Sequence, residues 1–216
     1  AARQHEAVQA RAVAAAAARE ADLRELMLQE MKHRIKNHIA RIQSIARQSA
    51  RGATDVKAFT TAFDARLQAM SAVQEILAGT VRAQADVRAI LVKELQQCLD
   101  TAEVEHLLDG PAVTLDERQA HAFAMVAHEL VTNAMKYGGL SGQGAGLKIT
   151  WAVRDPEAKG PPRLEIDWVE KVEAEDGALP VGAGRSHGPG FGSRLIEASL
   201  KGELSGSIHR EFGPEG

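Results

Sequence analysis

Among the 216 residues there is a single cysteine, Cys98. One thiol excludes an intrachain disulfide and any metal site built from several cysteines, which fits a reducing cytoplasm. Its place between Leu95 and Leu99 predicts a small core residue. A formal net charge of -3 gives no concentrated basic face for nucleic acid. No apolar run approaches the roughly 20 residues of a membrane span. The alanine-rich stretch from Ala12 to Ala18 has charges on both sides and lacks the pattern of a secretory leader. Aromatic residues are also scarce, at 4%. What is present is a globular composition, 44% hydrophobic and 25% charged, long enough for one or two domains with their own cores. The chain starts at Ala1 and stops at Gly-Pro-Glu-Gly216, just after a strand-like stretch, so part of a larger protein is expected.

Glycine and proline are missing before Gly52, and Ala, Glu, Arg, Gln and Leu dominate there. That composition predicts one long helix over residues 1 to about 50. After the break Arg51-Gly-Ala-Thr54, Asp55 is placed to cap a second helix running to Leu77, with the apolar stripe Phe59, Phe63, Leu67, Met70, Val73 and Leu77. Two helices joined by a short turn make a helical hairpin. From about Asp86 the texture changes. A helix over Val87 to Leu99 and a strand-like, turn-rich stretch through Leu108 and Gly110-Pro111 precede Thr114 to Asp116, which introduces a further helix. Leu147 to Val153 and Leu164 to Val169 alternate as strands do. A long loop from Lys171 to Gly192 suggests a lid. Ser193 to Leu200 reads as a helix and Ser205 to Phe212 as a strand. The expected class is α+β: a helical hairpin followed by an α/β domain.

The helix ending at Gly138-Gly139 carries two different faces. At about 100° per residue, Phe123, Ala127, Leu130, Ala134 and Tyr137 fall on one side. Glu129, Asn133 and Lys136, at i, i+4 and i+7, fall together on another. A carboxylate, an amide and an ammonium on one stripe can orient a water, bind a hard cation and neutralise a phosphate. Ordinary surface pairs at i, i+4 would look the same by spacing alone.

The first helix holds Glu30-Met-Lys-His-Arg-Ile-Lys-Asn37. Leu28, Met31, Ile35, Ile39, Ile42, Ala46 and Ser49 cluster on one face, and His33 lies about 160–200° from most of them, beside Lys36 and Asn37. His33 is therefore expected to be exposed, whereas His38 lies near the apolar stripe and reads as structural.

The residue identities add a family. HELVTNAMKYG (128–138) resembles the N box of the GHKL ATPase superfamily, and specifically that of HWE-type sensor histidine kinases. EMKHRIKNHIARIQSIARQ (30–48) resembles the phospho-acceptor H box of the same kinases, with its HRxKN core. Trp168-Val-Glu170 matches the family's Trp-x-Glu, and GPGFGSRLI (188–196) resembles its second glycine box. The resemblance implies ATP and Mg²⁺ as ligands, with Asn133 on the metal and Lys136 near the phosphates. Glu129 would handle water or a proton. His33 would be the nucleophile that takes the γ-phosphoryl group. Cofactor contacts would come from His128, Tyr137, Glu170 near the adenine, and Gly188, Gly190 and Gly192 at the phosphates. His33 has Arg34 after it where other histidine kinases place an acid, leaving Glu30 as a candidate base. Where the family often has paired glycines and prolines, Lys171-Val-Glu-Ala-Glu-Asp-Gly177 intervenes, and Asp176 is a rival to Glu170.

By this resemblance the fold is a phospho-acceptor hairpin followed by a GHKL-type ATP-binding α/β sandwich. The implied divisions are a signalling helix over 1–27, a dimerisation and phosphotransfer hairpin over 28–82, and an ATP-binding domain over 83–216. Implied partners are a response-regulator receiver domain, an absent upstream sensor and a second copy of the chain; the setting is the cytoplasm. A GHKL-type serine kinase or anti-sigma factor, and a degenerate ATP-binding scaffold, are the alternatives.

Overall fold

The computed structural model describes residues 2–80, 83–141, 146–154, 162–171 and 191–211, with side chains from residue 16 onward. The chain divides into two compact units, residues 1–50 and 51–216. Helix α1 (Ala2–Gly52) is continuous, as the missing glycines and prolines predict. Leu28, Met31, Ile35 and Ile39 along it are each at least half exposed. No helix among the described residues is long and apolar enough to cross a membrane.

Helix α2 (Val56–Ala78) begins where expected: the Asp55 carboxylate accepts the Ala58 N–H at 2.8 Å. Its deepest face is Arg66, Ala69, Val73 and Leu77 rather than the whole predicted stripe, and Phe59 stacks on Phe63 with ring centroids 5.7 Å apart. This face packs on the core of the second unit, to which α2 belongs by its contacts.

The predicted helix over Val87–Leu99 is shorter, and a further helix replaces the strand-like stretch. Helix α3 spans Val87–Leu95, capped by Asp86, and α4 spans Thr101–Leu107. Asp100 and Glu103 form a reciprocal capping box that starts α4, and an Asp-x-x-Glu signature outweighs short-range β propensity there. Cys98 lies in the turn between them and is exposed, not in the core. Its thiol donates to the Leu95 carbonyl at 3.3 Å.

Strand β1 (Gln84–Asp86) pairs antiparallel with β3 (Thr114–Asp116). A second sheet has the order β2-β4-β5, from Leu108–Asp109, Leu147–Arg154 and Arg163–Glu170. Strand β2 runs parallel to β4, and β5 antiparallel to it. Leu147, Ile149 and Trp151 alternate inward along β4, and they meet α3 and α5 residues in the core.

Helix α5 (Glu117–Tyr137) is central, with eleven of its residues buried. Its neighbours are α2, α3, helix α6 (Phe191–Ser199) and the single π turn Leu200–Leu204 that follows α6. Asp116 starts α5 through a capping box with Gln119. Phe123, Ala127 and Ala134 are buried as the pattern predicts, but Tyr137 is 56% exposed. It sits on the last helical turn, just before the extended Gly138. Beyond the π turn, residues 205–211 carry no strand. Alternation needs a neighbouring ladder to become a strand, and none pairs with these residues among those described.

Candidate functional site

The polar stripe of α5 is graded in depth. Glu129 is 6% exposed, Asn133 is half-buried and Lys136 is exposed. Glu129 is held from α2. Arg66 donates through Nε at 2.8 Å and through Nη2 at 2.7 Å, both to Oε1. The other oxygen, Oε2, faces the start of α6: a Cβ placed on Gly192 would stand 2.8 Å from it and 3.7 Å from the Asn133 amide atoms. A side chain at this position would press on the Glu129 carboxylate, which Arg66 holds, so glycine lets the start of α6 come close to it. The structure therefore brings Glu129, Asn133 and Gly192 together. Gly188, Gly190, Asp176 and the lid lie outside the described residues.

His128 faces the opposite way. It is 7% exposed, and its Nδ1 lies 3.0 Å from Oε2 of Glu94 on α3. Glu94, 2% exposed, also accepts the Gln97 amide at 3.0 Å. One residue from Glu129 is about 100° of helix rotation, enough to turn the imidazole into the α3–α5 core and away from Asn133. Exposed Tyr137 stands beside Lys136 on the last turn.

Glu170 is likewise engaged by the protein itself. Trp168 and Glu170 occupy one face of β5 at i and i+2. Glu170 Oε1 accepts the Trp168 Nε1–H at 2.7 Å, and Oε2 accepts the Gly139 N–H at 3.0 Å. The carboxylate thus joins the end of α5 to β5. Trp168 and Glu170 are both half-buried.

On α1, His33 is exposed. Its Nδ1 meets the Asn37 amide one turn later at 3.3 Å. Glu30 is paired with Arg34 at 2.9 Å. That pairing occupies the carboxylate that stood as a candidate base for His33.

Arg66, Glu94 and Trp151 carry weight that the sequence reading missed. Arg66 and Glu94 are charged residues on the buried faces of their helices, and that position is their sequence signal. Trp151 is covered by the Arg88 guanidinium 5.0 Å from its ring, and its Nε1–H reaches the Pro111 carbonyl at 2.8 Å.

A carboxylate with one oxygen pinned and an amide oxygen beside it are donors of the kind a hard cation takes, while a glycine-lined helix start and an exposed ammonium suit a phosphate. That is the class of site found in phosphoryl-transfer proteins. Comparison with known proteins agrees. Residues 30–112 match the model of the HWE histidine kinases. The chain is 32% identical over 197 residues to a blue-light-activated histidine kinase of Brucella anthropi, covering 91% of this chain and 38% of the relative. A blue-light-activated histidine kinase of Brucella ovis is 32% identical over 191 residues, covering 88% and 37%. A solved structure, the histidine kinase domain from Erythrobacter litoralis EL346 blue-light activated histidine kinase, is 16% identical, covers 75% of this chain and 84% of that one, and has a TM-score of 0.25, too low to inform the fold. The chain belongs to the HWE histidine kinase family. It spans well under half the length of the curated relatives it matches.

Proposed function

We propose that this chain is the kinase core of a two-component sensor: it uses ATP with Mg²⁺ to phosphorylate His33 and passes the phosphoryl group to an aspartate of a response-regulator receiver domain. The observation that carries this reading is the approach of Gly192 to Glu129 and Asn133, which gathers the glycine box and the N box at one place. The residues present fit a nucleotide with its metal. Asn133 offers a half-buried amide oxygen, Lys136 an exposed cation, and α6 a helix start beside them, where N–H groups favour an anion. When bound, Mg²⁺ supplies charge neutralisation across the phosphates.

The work of the protein is positioning and electrostatics. Arg66 fixes Oε1 of Glu129, which leaves Oε2 as the oxygen that orients a water or takes a proton. The Asn37 amide meets the His33 ring at Nδ1 and holds its orientation, and the ring nitrogen that carries no proton is the one that attacks. An amide can turn either end to the ring, so this contact fixes orientation rather than tautomer. In the transfer, an N–P bond forms at His33, the bond from the γ-phosphorus to the bridging oxygen breaks, and ADP leaves. The neutral imidazole is a competent nucleophile near pH 7.

The exposed apolar residues of α1 favour a second copy of the chain as a partner through a four-helix arrangement. The proposed divisions remain a signalling helix over 1–27, a phosphotransfer segment over 28–82 and an ATP-binding domain of GHKL type over 83–216, working in the cytoplasm. An upstream sensor would feed α1. Incubation with γ-labelled ATP tests the reading. Acid-labile, base-stable label that vanishes in His33→Ala and in Asn133→Ala is expected. Label on serine, or no label despite ATP binding, would overturn it.

A further inference from the structure

We propose that Glu170 is a positioning residue: its carboxylate clasps the C-terminal end of α5 to strand β5, sets where Asn133 and Lys136 stand, and does not select the nucleotide base. This rests on the ATP-site reading above.

Four observations meet at this point. Oε2 accepts the Gly139 N–H and Oε1 the Trp168 indole N–H, so both ends of the carboxylate are held by the protein. A Cβ on Gly138 would overlap Oε2 and stand 3.0 Å from the Ala134 Cα, so the carboxylate reaches its present position because residue 138 is glycine. Gly138 itself is extended, with φ -124°, and so the glycine is needed for space and not for a left-handed cap. The next residue continues the junction, since the Lys171 N–H donates to the Gly146 carbonyl and the Gly146 N–H to that of Gly139.

The charge is also at the wrong end. A helix C-terminus carries partial negative charge, and a carboxylate there is electrostatically unfavourable. Its retention makes sense for what a carboxylate alone supplies: two acceptor oxygens facing two N–H donors. A glutamine offers one oxygen and one NH₂, so one of the two donors would face another donor. Aspartate is one methylene shorter and cannot keep both contacts. Lys136 and Asn133 lie within the last two turns of α5, where releasing Gly139 would be felt most.

Full-length Glu170→Gln, checked for native circular dichroism, would be titrated with ATP and with GTP in the presence of Mg²⁺. Hydrogen exchange at Gly138–Leu140 would be followed without nucleotide. Losing one charge-assisted hydrogen bond should weaken both nucleotides by a similar factor, on the order of tenfold, and speed exchange at Gly139. Trp168→Phe should act in the same direction but less, because Gly139 keeps its acceptor. Gly138→Ala, which displaces the carboxylate sterically, should reproduce the exchange defect if Glu170→Gln does not fold. Selective loss of ATP with unchanged exchange at Gly139 would instead make Glu170 the adenine acceptor and sink the clasp. Unaltered binding and exchange would sink it too. If the parent chain binds neither nucleotide, the ATP-site reading fails, and the exchange measurement alone still decides the clasp.

Discussion

Arg66→Met should destabilise the second unit far more than a surface arginine would. The guanidinium donates twice to one oxygen of Glu129, and both side chains are only 7% exposed. Removing it leaves a carboxylate that is desolvated by α2, α5 and the start of α6 and has lost its counter-charge. Breaking a buried pair from one side costs about 3–5 kcal/mol, against well under 1 kcal/mol for an exposed pair. For a unit of this size, 1 kcal/mol corresponds to roughly 2–4 °C in Tm, so the lower bound predicts a fall of about 6–12 °C. Arg66→Met combined with Glu129→Met removes both charges at similar volume and should return to within about 1 kcal/mol of the parent. Urea unfolding followed by tryptophan fluorescence is the assay, since Trp151 and Trp168 both belong to this unit. A double variant as unstable as the sum of the two single ones would show no coupling and refute the pairing.

Other perturbations test the frame around the site. Gly110→Ala would drive a methyl to within 2.3 Å of the Trp151 ring, and overpacking of that kind costs about 1–3 kcal/mol, readable as a lower urea midpoint. Asp116→Ala removes the N-cap acceptor for Gln119 N–H and should cost about 1 kcal/mol by the same measurement. Desolvation pushes the Cys98 thiol above the ordinary cysteine range, and the nearby Glu103 charge adds to it. Iodoacetamide should therefore modify folded Cys98 slowly at pH 8, faster as pH rises past the ordinary thiol range, and at the ordinary rate after unfolding in urea. A folded-state rate matching the unfolded one at pH 8 would contradict the shift.

Much of the architecture could be read before any coordinates, for identifiable reasons. The long helix α1, the Asp55 cap and the two eight-residue strands rest on local signals that tertiary packing does not override. Helix α4 was missed because its evidence is two capping residues around a short apolar pair, and periodicity is weak over seven residues. Cys98 was misplaced because flanking leucines do not specify a face when a turn intervenes. The stripe of α5 was legible as a stripe, yet its depth was not: burial of Glu129 comes from α2 and α6, both distant in sequence. The same holds for Arg66 and Glu94, whose partners are 63 and 34 residues away.

Three glutamates, one on α5 and two packed against it, differ in what they can do by their donors rather than by their spacing. Glu129 meets a guanidinium, a fixed charge that pins one oxygen and leaves the other turned toward the start of α6. Glu94 meets an imidazole and an amide deep in the core; His128 thus serves helix packing, which accounts for its failure to share a face with Asn133. Among the described residues Glu170 meets two neutral N–H groups, and a carboxylate between neutral donors is a geometric link more than an electrostatic one. The histidine, tryptophan and glutamate that the family resemblance singles out thereby act on the same object. Two of them fix the far end of α5 and the third fixes its back, which leaves the Glu129–Asn133–Lys136 stripe with little freedom to move except at the exposed ammonium.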